Sequence, residues 1–495
     1  MSRVDCMNEK GDIMIRKRII ALGLILAMST TLAGCGGKAA KTPLDAKNPV
    51  TIEVWNYYNG DQLTAFDGLV KEFNESVGKE KGIIVKSSSQ GSVNDLEVNV
   101  LAALRGEVGA AEVPNIFMAY ADTAYAADQM GGIVDLREYL TDEEIALYID
   151  SYIKEGDFSG EGEIKIFPMA KSTEVMVLNK TDWDAFAAAT GADYEDMADI
   201  EGLVKTAEAY YEWTDAKTPD INDDGRALFG RDAMANYMLI GSMQLGTEIF
   251  QVSDGEMTLN FEKGTIRKLW DNYYVPFVKG YFAATGRFRS DDIKTGNIIA
   301  YVGSSSGASF FPDVVNHSDQ ESYPIEMEVL PCPGFKGGEA YAVQQGAGMV
   351  VTEGSEAQIY ASVEFLKWFT ADEQNILFSV QSGYMPVTKA ANDKAAILDS
   401  GAEISQSMEK TLSAAVDMVN NNLLYTTKAF ETGTKARNIL EYAMSDKAAE
   451  DRKIVEERLA AGQSLEEAVA EFCTDECFDA WYEATLERLQ ALEGK

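Results

Sequence analysis

From residue 49 to residue 119 the chain reads strand, helix, strand, helix, strand, and this alternation is the tightest constraint on its fold. Pro49-Val-Thr-Ile-Glu-Val-Trp55 has the β-branched character of a strand, and apolar residues at 63, 66, 69, 70 and 73 follow at the spacing of one helix face. Residues 82–87 and 93–105 repeat the pair, and a third strand, 115–119, is entered through Pro114. Strands joined by helical crossovers predict a largely parallel sheet and an α/β fold class. Trp55, inside the first strand, reads as core.

Further along, 163–168 and 174–178 read as strands flanking a polar turn, 181–211 as helix-rich and 233–246 as a helix. Residues 298–302 form a buried-strand pattern running into Gly303-Ser304-Ser305-Ser306-Gly307, and 325–330 a strand ended by Pro331-Cys-Pro-Gly334. Trp270, Tyr273 and Tyr274 read as a helix face, with a stacking platform as the alternative. Residues 357–369 are an amphipathic helix, 403–495 are almost wholly helical, and there is no internal repeat. A hydrophobic fraction of 46% argues against disorder, and a chain of this length exceeds what one core supports, so at least two lobes are expected.

With 80 acidic against 43 basic residues the formal net charge is −37, a surface that repels phosphate backbones and excludes nucleic acid as a partner. The N-terminus carries Arg16-Lys-Arg18, an apolar run over 19–28, and Leu32-Ala-Gly-Cys35. The apolar run is too short for the roughly 20 residues that cross a bilayer. The pattern resembles the signal of bacterial lipoproteins, which is cut before the cysteine whose thiol is then acylated. That resemblance implies a signal peptide over 1–34, lipidation at Cys35, a Gly- and Lys-containing tether to residue 48, and membrane association through the lipid alone. Of the other cysteines, Cys332 stands by itself, and Cys473 and Cys477 are expected to be unpaired, since an i, i+4 pair on one helix is a poor disulfide geometry.

Six segments in order resemble the extracellular solute-binding proteins of ABC importers, the group that includes maltose-binding protein. They are Thr51-Ile-Glu-Val-Trp55, Phe167-Pro-Met-Ala-Lys-Ser-Thr-Glu-Val-Met-Val-Leu-Asn-Lys180, Gly296-Asn-Ile-Ile-Ala-Tyr-Val-Gly303, Val329-Leu-Pro-Cys-Pro-Gly334, Gly346-Ala-Gly-Met-Val-Val351, and Glu364-Phe-Leu-Lys-Trp-Phe369 with Ser382-Gly-Tyr-Met-Pro386. The resemblance implies two α/β lobes joined by hinge crossovers near 168–173 and 341–346. Lobe 1 would comprise 49–168 and 346–400, lobe 2 would comprise 169–345, and a helical tail, 401–495, would pack mainly on lobe 2. It also implies a monomer that closes over a ligand and hands it to a membrane permease.

Ligands in open α/β sheets sit beyond the carboxyl ends of strands. Position therefore nominates Tyr57, Tyr58, Asn59 and Asp61 after the first strand, and Tyr120 and Asp122 after the third. Lys171, Ser172, Thr173 and Glu174 lie in the first crossover, Ser304 and Ser305 after the strand at 298, Gln344 and Gln345 in the second crossover, and Tyr384 in a turn. Rings, carboxylates, amides and hydroxyls without an arginine cluster favour a carbohydrate over a phosphate ester. Asp61 and Tyr384 are placed on loops, where truncation should weaken binding without unfolding the protein.

Two motifs offer other chemistry. Gly303-x-Ser305-x-Gly307 matches a hydrolase nucleophile elbow, but the sole histidine, His317, is twelve residues away, too near in sequence for a hydrolase triad. His317 reads as a solvated loop residue, and a surface glycosidase or esterase, or a ligand-sensing binder serving a receptor kinase, stands as the alternative. Asp220-Ile-Asn222-Asp-Asp224-Gly-Arg226 matches the first half of a calcium loop, with Arg226 contributing its backbone carbonyl and Asp232 completing the shell. It matches an Asx-rich turn equally well. Calcium would be structural, and no cofactor is otherwise required.

Overall fold

Two four-stranded sheets, each backed by helices, organise the chain. The computed structural model describes residues 43–253, 255–318 and 321–493, and Leu44–Lys495 forms one compact unit. Cys35, its signal and most of the tether lie outside the described residues. The strands of the two sheets are β1 (Val50–Asn56), β2 (Ile83–Ser89), β3 (Ile116–Ala119), β4 (Glu174–Asn179), β5 (Phe229–Arg231), β6 (Ala300–Ser304), β7 (Met327–Pro331) and β8 (Gly348–Val351). The helices of nine residues or more are α1 (Gly60–Glu75), α2 (Val93–Leu104), α3 (Ala121–Gln129), α4 (Lys180–Thr190), α5 (Ile200–Asp215) and α6 (Met234–Gln244), then α7 (Lys263–Val278), α8 (Glu356–Phe369), α9 (Asp372–Ser382), α10 (Gln406–Asn421), α11 (Gly433–Ala460) and α12 (Asp475–Gln490).

The first sheet has the order β8-β3-β1-β2, with β1 parallel to β2 and β3, and β8 antiparallel to β3. Two of its strands are apolar on both faces: all four residues of β3 and of β8 are buried. Helix α1 covers the sheet with Ala65, Phe66, Leu69, Val70 and Phe73, the face foreseen from spacing. Gly82, at φ 75°, turns the chain into β2, and a Cβ there would stand 2.3 Å from the Asp45 carbonyl oxygen.

The second sheet has the order β7-β4-β6-β5, and it is mostly antiparallel: β4 opposes both β7 and β6, while β5 and β6 are parallel. The expected parallel arrangement therefore holds in the first sheet and not in the second. There β4 enters straight from a crossover instead of through a helix, and α7 packs Trp270 against Tyr274 with ring centroids 3.6 Å apart, both fully buried.

The chain passes between the sheets through segments that bond to one another. Ser172 and Gln345 exchange two backbone hydrogen bonds of 2.9 Å, and Lys171 and Met385 exchange another pair. Alongside them Tyr341–Val343 pairs in parallel with Leu423–Tyr425.

Several expectations are corrected. Residues 163–168 form no strand but a single bridge, Phe167 to Met349, because Gly160 and Gly162 turn at φ 78° and 89° and Pro168 lacks an N–H. The tail is interrupted between α10 and α11 by the extended segment around Leu423–Tyr425, whose backbone groups pair with the crossover instead of within a helix. Cys473 precedes α12 and Cys477 lies within it, so the two do not share a helix, and both are free. His317 sits on a hairpin strand, Val314–Ser318, half-buried over Gly296 and beside Tyr323. Among the described residues no helix is long and apolar enough to cross a membrane.

Candidate ligand cleft

A cavity of about 310 Å³ opens where the β3–α3 turn and α2 of the first lobe face α6 of the second, with the crossover at Gln344 and the segment after Leu423–Tyr425 closing its ends. Its wall mixes rings (Tyr120, Phe250, Tyr425, Phe430), amides (Asn94, Asn236, Gln344, Gln345, Asn438), hydroxyls (Thr426, Thr427, Thr434) and the charged Glu97, Asp122, Glu155 and Arg437. That volume is at the lower end of the roughly 300–1,000 Å³ of small-molecule sites.

Asp122 reaches from the first lobe to the start of α11. A Cβ on Gly433 would come within 2.3 Å of its Oδ1, so the absence of a side chain there admits the carboxylate. Loss of solvation pushes the Asp122 carboxyl up to about 6; the charge of Arg437 and the Phe430 N–H act against the rise, and Glu97 adds to it. Arg437 is held in turn: its Nη2 donates to Asn236 Oδ1, Asn236 Nδ2 donates to Glu174 Oε1 at 2.9 Å, and Glu174 Oε2 is paired with Arg231. Gln344 Nε2 donates to Glu155 Oε2 at 2.7 Å and to the Ser151 carbonyl. Among the described residues the buried Gln345 Oε1 has no hydrogen-bond partner.

Of the residues nominated from sequence, Tyr120, Asp122, Gln344 and Gln345 line this cavity. Tyr57 is half-buried with its ring 5.8 Å from that of Tyr58, and it does not line the cavity. Tyr58 is fully buried against Phe66 and Phe378; Tyr384 lies in the turn after α9 as expected, but its side chain is 5% exposed and stacked on Phe378, so it belongs to the core and not to an exposed loop. Asn59 and Asp61 open α1 on the exposed surface and are not brought to the cavity.

The first crossover is buried and occupied with itself. Lys171 pairs with Glu155 and donates to the Gly346 carbonyl, Thr173 donates to the Val343 carbonyl, and Ser172 is bound into the crossover ladder. Glu174 acts on Arg231 and Asn236. These side chains hold the crossovers together.

Ser304 Oγ bonds Ser306 Oγ, whereas Ser305 is fully buried with its Oγ 3.5 Å from the Thr173 nitrogen. His317 lies instead beside Arg226, 3.5 Å away. The serine motif thus buttresses the crossover, and the imidazole that a hydrolase would need is engaged elsewhere.

The Asp220 loop is tied to the end of α5: Asp224 N–H donates to Asp215, Thr218 donates to Asp224, and Tyr211 donates to the Asp223 carbonyl. Asp220 and Asn222 are exposed, and Arg226 donates its N–H to Thr214. Asp232 follows directly on β5 and pairs with Arg289, its carboxyl raised to about 6 chiefly by burial. Among the described residues no three acidic, histidine or cysteine side chains gather at metal-binding distance.

The contributions of Asn94, Glu97, Asn236 and the 425–438 segment were not foreseen. The last carried a legible signal: Asn420-Asn-Asn422 followed by Leu-Leu-Tyr-Thr-Thr427 breaks the helical pattern.

Two lobes tied by crossovers around an aromatic and polar cleft define a protein built to enclose a small solute. The chain belongs to the bacterial extracellular solute-binding proteins, whose family model matches residues 68–404. No curated protein matches it in sequence. Among solved structures it is similar to a cyclic alpha-maltosyl-1,6-maltose binding protein from Arthrobacter globiformis, at 18% identity and TM-score 0.65, with 90% of this chain and 100% of that one covered. UgpB from Mycobacterium tuberculosis, in complex with glycerophosphocholine, follows at 17% identity and TM-score 0.62, with the same coverage. The ABC substrate-binding protein Lmo0181 from Listeria monocytogenes, in complex with cycloalternan, is 16% identical at TM-score 0.61, again over 90% of this chain and 100% of that one. At these identities the likeness is one of fold.

Proposed function

We propose that the protein captures a carbohydrate by closing its two lobes, is held at the outer face of the membrane by a lipid on Cys35, and delivers its ligand to an ABC permease. The observation that carries the ligand class is the cavity wall, in which four rings are interleaved with amides, hydroxyls and carboxylates around Arg437. Sugar C–H faces stack on rings while each hydroxyl needs a donor and an acceptor, and this wall supplies both. A phosphate ester would call for clustered cations, and Arg437 is the single cation in this lining. Support for carbohydrate also comes from the sugar ligands of two structural neighbours. Capture with closure suits delivery, because a ligand touched by both lobes biases the closed state by its differential affinity.

The test is a melting screen of the purified protein against mono- and oligosaccharides, amino acids, polyamines and glycerophosphodiesters. A ligand present at about 100 times its Kd adds about 2.7 kcal/mol of stability. A shift confined to saccharides is the expected outcome, and a shift confined to glycerophosphodiesters overturns the carbohydrate assignment.

A further inference from the structure

The cavity wall pairs a cation from one part of the fold with a carboxylate contributed by the other lobe. Arg437 comes from α11 and Asp122 from the first turn of α3, and both line the same cavity. Neither is free to swing. Asp122 is wedged against Gly433, while Arg437 is tethered to Asn236, itself fixed by the buried Glu174–Arg231 pair on the second sheet.

We propose that Asp122 and Arg437 form a cross-cleft pair that selects neutral over acidic sugars by bridging adjacent hydroxyls, and that Asn236 positions Arg437 for this task. This rests on the carbohydrate reading and names its specificity. A hydroxyl donates to a carboxylate and accepts from a guanidinium, so two neighbouring hydroxyls complete both groups at once. Charge then discriminates against acids: a uronate meets Asp122, Glu97 and Glu155, with Arg437 the one cation in the lining. Glu174, although at the crossover, acts through Asn236 and does not reach the cavity. Its carboxylate is fully engaged, so Asn236 is held with its Oδ1 toward Arg437 and its Nδ2 toward Glu174.

Calorimetry on the purified protein with glucose, maltose, maltotriose and glucuronate tests the pair. The neutral sugar that binds best is then titrated into Asp122→Asn, Arg437→Gln, Asn236→Ala and the double variant Asn236→Ala/Arg437→Gln, each checked for a cooperative melting transition. Loss of a hydrogen bond to a charged group is worth roughly ten- to a hundredfold in affinity, which is the drop expected for Asp122→Asn and Arg437→Gln. Asn236→Ala should weaken binding in the wild-type background and add nothing once Arg437 is replaced. A purely structural Asn236 would give additive losses and overturn its positioning role. Wild-type affinity in both Asp122→Asn and Arg437→Gln, or equal binding of glucose and glucuronate, overturns the pair while leaving the carbohydrate reading intact. Binding of no sugar at all overturns that reading and this inference together. Should Arg437→Gln fail to fold, Arg437→Lys, which keeps the charge but loses the bidentate fork, takes its place: an affinity well below wild type supports the pair, and an unchanged affinity overturns it.

Discussion

At the residue scale, buried carboxyls dominate the chemistry. Asp122 and Asp232 both titrate near 6 because burial costs the charged form more than their arginine partners return. A carboxyl raised above its unfolded value contributes stability that is complete below about 4 and lost as pH climbs through about 6. Asp122→Asn should therefore raise the melting temperature at pH 7.5 and leave it nearly unchanged at pH 4.5; equal shifts at both would show that Asp122 is ordinary in the fold. Lys171 presents the opposite situation, a buried charge that is well paired. Lys171→Met leaves Glu155 buried without its cation, and breaking such a pair costs roughly 3–5 kcal/mol, visible as a lowered denaturant midpoint. Sequence pointed to Lys171 and Glu174 as ligand contacts because they lie in a crossover. What it does not contain is the partner, since Glu155 and Arg231 meet them only after the chain has folded back.

At the element scale, helix α6 carries the second lobe's wall of the cleft and begins under strain. Ala233, its N-cap, has φ 51°, a left-handed conformation that a Cβ disfavours. Ala233→Gly should stabilise the protein by about 1 kcal/mol, read as a higher denaturant midpoint at unchanged slope. Helix α6 is also buried nearly all round, and its amphipathic signal is correspondingly faint, although its apolar length still marked it as a helix. Helix α7 is the counterpart whose face was legible: Trp270, Tyr273 and Tyr274 all point inward, and Trp270→Ala should cost about 3–5 kcal/mol. The 422–432 break in the tail was missed because three apolar residues in a helix-rich context look like helix, whereas Tyr341–Val343 draws Leu423–Tyr425 into a ladder.

For the whole molecule, the surface charge and the hinge set the expectations. A net charge of −37 repels itself, so added salt should raise the melting temperature modestly, up to the screening of about 10 Å reached near 0.1 M. Closure should appear in solution scattering as a smaller radius of gyration once a binding sugar is added, and an unchanged radius would deny that ligand and lobe motion are coupled. Replacing Cys35 by Ser should move the protein from the membrane to the soluble fraction, the expected consequence if that thiol carries the anchor. The local alternation of strand and helix, the faces of α1 and α7 and the family's ordered motifs were all written in the sequence, because they depend on residues a few positions apart. The direction of the second sheet, the core position of Tyr58 and Tyr384, and the convergence of Asp122, Asn236 and Arg437 on one cavity were decided only by tertiary structure. Those contacts join residues far apart in the chain, and no local periodicity records which of many acidic, amide and basic side chains will be brought together when two lobes fold around shared crossovers.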